Sequence, residues 1–222
     1  MRATIGIFGV GLLLGSAAAL AAPDPATEIE GVYAWMSPGG ALVNLVMDVY
    51  SGAPASARFS DSVEYVFHTR SMASSSSTSS VEEDVICTFD AQQKVSCWAG
   101  DSFVAGDASG TAGIESPDGL LRVFAGRRDD PEFWNRTGFD RMTSDIAQTK
   151  LTFATDSAGC PRFDAVTQAE LVREVGSGAN GGPARDDFAA KNVLALVVQV
   201  DKGILTRGGS FVAIYGAIHE KP

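Results

Sequence analysis

The sequence predicts an all-β protein, mainly an antiparallel sandwich or barrel-like sheet, with one or two short helices. Short runs in which apolar and polar residues alternate recur along the chain, the period of a strand with one buried face. Turns rich in Gly, Pro, Asp and Ser separate these runs at short intervals. Helical periodicity is confined to a few short segments, and about seven to ten strands with minor helices fit a layered β architecture.

Gly31 to Met36 is a short run ending at Ser37-Pro38-Gly39-Gly40, a turn signal that makes it the first arm of a hairpin. The second arm, Ala41 to Val49, alternates cleanly. Val43, Leu45, Met47 and Val49 share one face and Asn44 and Asp48 the other, which reads as a half-buried strand. Ser62 to Arg70 sets Val63, Tyr65 and Phe67 against Glu64, His68 and Arg70. Ser71 to Ser80 is serine-rich and reads as a flexible surface loop. Two β-prone runs, Val85 to Phe89 and Lys94 to Trp98, flank a short polar loop and form a second hairpin. Leu120 to Ala125 is launched from the Pro117-Asp118-Gly119 turn. A helix begins at Asp130, where Asp caps the first turn and Pro131 takes its first position. Phe139 to Gln148 is a weaker helical stretch. Asp164 to Val175 places Val166, Ala169, Leu171 and Val172 near one helical face and is closed by Gly176. Gly176 to Pro183 is a second flexible connection. Val193 to Val200 is almost continuously apolar, as a central strand buried on both faces should be. Phe211 to Ile218 follows a Gly208-Gly209 turn.

The start of the chain concerns location rather than fold. Residues 1–21 carry Arg2, an apolar run from Ile5 to Leu14, and small residues ending in Ala19-Leu20-Ala21. This is the layout of a secretory signal peptide. Counting its Gly and Ala, the run approaches the roughly 20 residues of a membrane span. The Ala-x-Ala site, with Pro23 and Pro25 just beyond, favours cleavage over anchoring. Residues 22–222 are then expected to form a single β-rich domain, exported to the periplasm or the exterior, with no membrane span after cleavage.

An oxidising compartment permits disulfides. With Gln92 at the centre of its loop, the second hairpin sets Cys87 opposite Cys97. Directly opposed Cβ atoms lie about 4.5–5.5 Å apart, close to disulfide range. A Cys87–Cys97 disulfide is therefore expected rather than two buried thiols. Cys160 is left over, either buried or unpaired.

Lys and Arg total 17 against 27 Asp and Glu, a net charge of −10. That excess argues against nucleic acid and against anionic lipid surfaces, both of which need clustered cations. The chain has 2 histidines, and a histidine zinc site wants three or four clustered ligands. His68 and His219 stand far apart at the edges of separate strands. No EF-hand loop, Walker loop or Gly-x-Ser-x-Gly elbow is present. Accordingly no metal site, cofactor or catalytic residue is assigned.

The densest polar cluster is Arg127-Arg128-Asp129-Asp130, followed by Phe133-Trp134. Paired acids at a strand end could hold a hard cation or act as an acid and base pair. The adjacent arginines supply counter-charge, which favours a structural corner: Asp130 capping a turn, an arginine paired with an acid, aromatics packed beneath. Arg128, Asp129 and Asp130 are the candidate binding residues. Trp35, Trp98 and Trp134 lie near turns, where a binding surface or core packing would use them; core packing is favoured. Asn135-Arg136-Thr137 matches a glycosylation sequon.

Several strings resemble the bacterial domain-of-unknown-function 4331 family: Val32-Tyr33-Ala34-Trp35-Met36-Ser37-Pro38, Asn44-Leu45-Val46-Met47, Phe59-Ser60-Asp61 and Tyr65-Val66-Phe67-His68. The most specific is Val123-Phe124-Ala125-Gly126-Arg127-Arg128-Asp129-Asp130-Pro131, and Phe188-Ala189-Ala190-Lys191-Asn192-Val193-Leu194-Ala195 adds to it. The resemblance implies an exported, largely β protein and carries over no catalytic residue. The reading is thus a binding or structural module of the cell envelope or exterior, its partner an unknown protein or small ligand. The alternative is a hydrolase or metal-dependent enzyme using the Asp129/Asp130 corner.

Overall fold

A computed structural model describes residues 23–148 and 154–221; the signal peptide assigned to residues 1–21 lies outside the described residues. In chain order the strands are β1 (Ile29–Met36), β2 (Leu42–Val49), β3 (Val63–Met72), β4 (Val81–Phe89), β5 (Val95–Ala99), β6 (Ser102–Gly106), β7 (Ile114–Glu115), β8 (Leu121–Asp129), β9 (Ala154–Thr155), β10 (Pro161–Arg162), β11 (Asn192–Asp201) and β12 (Phe211–Glu220). The helices are α1 (Arg136–Gln148), α2 (Ala165–Val175) and the single turn α3 (Lys202–Leu205).

Two antiparallel five-stranded sheets make the body. The first runs β1-β2-β11-β8-β7 and the second β12-β3-β4-β5-β6; β9 and β10 form a separate two-stranded ribbon. The predicted β1–β2 hairpin is present, its turn closed by Ser37 N–H donating to the Leu42 carbonyl at 2.8 Å. The inner faces meet in one apolar core. Leu45, Met47, Val49, Val123, Leu196 and Val198 come from the first sheet, Tyr65, Phe67, Val85, Cys87, Val95 and Cys97 from the second. Cys87 and Cys97 pair directly across β4 and β5, are fully buried and are joined as a disulfide. Val193 to Val200 is the central strand expected, with β2 on one side and β8 on the other.

The structure corrects several local expectations. β2 is buried on both faces, because Asn44, Val46 and Asp48 are covered as well as the core row. β8 runs on to Asp129, so Arg127 and Arg128 belong to the strand rather than to a corner after it. β3 likewise extends through Ser71 and Met72. No helix starts at Asp130, whose carboxylate accepts from Glu132 N–H at 3.0 Å. α1 starts at Arg136 instead. Asp187 Oδ2 accepts from Arg136 N–H at 2.9 Å, and Asn135 Oδ1 accepts from Gly138 N–H at 3.4 Å. α2 forms where a helix from Asp164 to Val175 is expected, with Asp164 as its cap, but Val166 and Val172 point outward, 79% and 72% exposed. Its buried side chain is Glu174, which Arg141 of α1 meets at 3.2 Å. An ion pair, not a valine stripe, holds the two helices at that point.

Candidate functional site

One row of residues crosses the outer face of the first sheet: Gly31 on β1, Asp48 on β2, Ala195 on β11 and Gly126 on β8. Three of the four bear no more than a methyl group, so Asp48 is the one polar side chain in this row. The glycines are needed for close approach. A Cβ on Gly31 would lie 2.5 Å from Tyr33 Oη, and one on Gly126 would lie 2.9 Å from Phe124 Cζ. Both rings therefore fold over the positions where the flanking strands have no side chain.

Asp48 is 3% exposed, and its Oδ1 has no hydrogen-bond partner. Such a group normally finds one, because an unsatisfied buried acceptor costs about 1–3 kcal/mol and a charged one more. Burial, with the nearby Asp130 and Glu132 carboxylates adding to it, pushes the Asp48 carboxyl from 3.8 up to about 6. Tyr33 Oη donates to Glu132 Oε1 at 3.1 Å. Its hydroxyl is raised above the usual tyrosine range, first by burial and then by that hydrogen bond and the surrounding acids. Two further carboxylates, Asp130 and Glu132, thus lie near the buried, unpartnered oxygen of Asp48.

An open cleft of about 470 Å³ lies on the same face. Asn44, Gln199, Val197, Phe124 and the Glu115–Arg122 ion pair line it. Gln199 Nε2 donates to Asn44 Oδ1 at 2.9 Å, which fixes the amides of its floor.

Strand alternation distributes the predicted residues over two faces. Arg128 and Asp130 share this outer face with Phe124, and the Arg128 guanidinium carbon sits 3.8 Å from the centre of the Phe124 ring. Asp129 projects to the other side. There its Oδ1 accepts from Asn192 Nδ2 at 2.9 Å, while Arg127 Nε donates to Asn192 Oδ1 at 2.5 Å. The corner therefore brings Asp130 near Asp48 and Tyr33, seats Arg128 on Phe124, and leaves Asp129 apart. Sequence reasoning passed over Asp48, Glu132 and Tyr33. The available signal was glycine inside two strands, which marks close approach of another group.

Asp118, by contrast, is fully provided for. The Asp118 carboxylate accepts from the Ser102 and Ser116 hydroxyls, both at 2.5 Å, and from Leu120 N–H at 3.0 Å; these bonds hold its carboxyl below the ordinary range. The aromatic expectation changes too. Trp35 and Trp98 are 52% and 41% exposed, and Trp98 leans on Phe103 across β5 and β6 with ring centres 5.1 Å apart. Cys160 is an exposed free thiol. Asn135 of the sequon is buried, and its Nδ2 donates to the Val175 and Ser177 carbonyls at 2.7 and 2.9 Å, so the atom a glycan would occupy is engaged.

Comparison of the chain with family models, curated proteins and solved structures finds no match in any of the three. Among the described residues no helix is long and apolar enough to cross a membrane.

Proposed function

We propose that this is an exported binding module of the cell envelope or exterior, and that it takes a positively charged group of its ligand or partner on the outer face of the first sheet. The observation that carries the proposal is Asp48: a carboxylate buried without a partner for Oδ1, next to two more acids. An ammonium or guanidinium group would supply the missing donor and lower the repulsion among the three carboxylates. The adjoining cleft falls within the roughly 300–1,000 Å³ range of small-ligand sites. The signal-peptide layout and the core disulfide support the exported setting. A hydrolase or metal-dependent enzyme would need Asp129 and Asp130 at one reacting centre, whereas Asp129 is bonded to Asn192 and Asp130, just past the end of β8, lies near Asp48.

The test is an NMR titration of the protein with spermidine and with arginine amide. The expected result is saturable shifts at Gly31, Asp48 and Gly126, abolished in a folded Asp48→Asn variant. No shifts at millimolar ligand, or equal shifts in the variant, would overturn the proposal.

A further inference from the structure

The outer face of the second sheet holds a separate polar cluster, built from three strands. His68 on β3 is paired in register with Asp84 on β4 and with Tyr215 on β12. His68 Nδ1 lies 2.9 Å from Asp84 Oδ1, and the Tyr215 ring stacks on the imidazole with centres 4.7 Å apart. On its other side, His68 Nε2 lies 3.2 Å from Nε2 of His219, near the end of β12. The two histidines are 151 residues apart in sequence and meet because β12 returns to pair with β3.

The chemistry of the pair follows from its partners. A carboxylate only accepts, so the His68 hydrogen belongs on Nδ1 and Nε2 keeps its lone pair. The ring centres are 5.5 Å apart, so the two Nε2 atoms point nearly head-on, sharing one hydrogen. That hydrogen can be exchanged for a cation. Two metal–imidazole bonds of about 2.0–2.1 Å separate their nitrogens by about 2.9 Å at the right angle of tetragonal copper(II) and by about 3.3 Å at a tetrahedral angle. The observed separation is already 3.2 Å, and a tilt of each ring brings both lone pairs onto one ion. Asp84 would then be the carboxylate behind a metal-bound histidine, which orients the ring and raises its basicity. The stacked Tyr215 holds the imidazole plane.

We propose that His68 and His219 bind a late first-row divalent ion, copper(II) in preference to nickel or zinc, with Asp84 as positioning residue. Imidazole suits these ions, and affinity along the series peaks at copper. Among the described residues no group of three or more His, Cys, Asp or Glu side chains is arranged to hold a metal. The site therefore offers two protein ligands, and water or an external ligand fills the remaining positions. This inference is independent of the cation-binding face on the first sheet.

The test is titration of the purified protein with copper(II) chloride, read by calorimetry and by electron paramagnetic resonance. One ion per chain is expected, with hyperfine structure from two imidazole nitrogens. His219→Ala and His68→Ala should each weaken binding at least about tenfold, and Asp84→Asn should weaken it about 10–100-fold as an outer-shell partner does. Circular dichroism confirms that each variant is folded, and His219→Gln repeats the loss with the side-chain volume nearly kept. Copper bound equally by the His68→Ala/His219→Ala double variant, or a spectrum without two imidazole nitrogens, would overturn the assignment.

Discussion

Replacing Asp48 by Asn removes a charge while keeping the shape of the side chain, and its effect on stability should depend on pH. In the folded chain the carboxyl is raised to about 6 from the ordinary 3.8. The native state thus holds this proton more tightly than the unfolded chain does. The stability tied to it is full below pH 3.8 and is lost as the pH rises through about 6. A shift of about 2 units corresponds to about 3 kcal/mol. Most of this falls between pH 4 and pH 8, so relative to the wild type Asp48→Asn should gain about 2.5 kcal/mol across that range, whatever fixed offset the substitution introduces. For a chain of this size, 1 kcal/mol moves Tm by about 2–4 °C, so the difference between variant and wild type should change by roughly 5–10 °C. Urea unfolding at both pH values gives the free energies and thermal melts check them. A variant that runs parallel to the wild type across this range would refute the buried, unpartnered carboxylate. All other acids are common to the two proteins, which is why the difference, not the profile itself, is diagnostic.

Three further outcomes follow from the geometry. Gly31→Ala should drive the Tyr33 ring off its site, break the bond to Glu132 and open Asp48 to water. The expected cost is about 1–3 kcal/mol, with a smaller change in stability between pH 4 and pH 8, by urea unfolding. Thiol counting on the unfolded, non-reduced protein should give one free thiol from Cys160, rising to three on reduction; reduction should also lower stability by about 2 kcal/mol, since the loop is short. Leu196→Ala, on the central strand, should cost about 2–5 kcal/mol, whereas Val172→Lys on the exposed side of α2 should be nearly neutral.

How far the sequence could be read depended on the range of the interaction concerned. Val43, Leu45, Met47 and Val49 share a face because a strand has period two, and that needs no partner. The same rule placed Asn44 and Asp48 together but could not say what covers them. Asn44 meets Gln199 and the Trp35 carbonyl, and near Asp48 lie Tyr33 on the neighbouring strand and the segment carrying Asp130 and Glu132. The local capping signal at Asp130-Pro131 failed for a similar reason. A carboxylate 51 residues away, Asp187, takes the first N–H of α1, and the chain from Asp130 to Asn135 stays irregular. Cys87 and Cys97 were legible because their hairpin is short. His68 and His219 were not, because only the pairing of β12 with β3 brings them together.

The contrast between Asp118 and Asp48 bears on why the latter is proposed as a site. Both are acids in the same sandwich, yet Asp118 receives three donors and Asp48 Oδ1 receives none. The fold is able to satisfy a carboxylate when one serves the fold. Position 48 is itself held fixed, since slipping β2 by one residue would turn Leu45, Met47 and Val49 out of the core. An amide there would keep the shape without the charge. Between Gly31 and Ala195, at a place the register fixes, the acid destabilises the folded chain at neutral pH. That cost, with no donor offsetting it at Oδ1, is the observation on which the proposed binding of a cationic group rests.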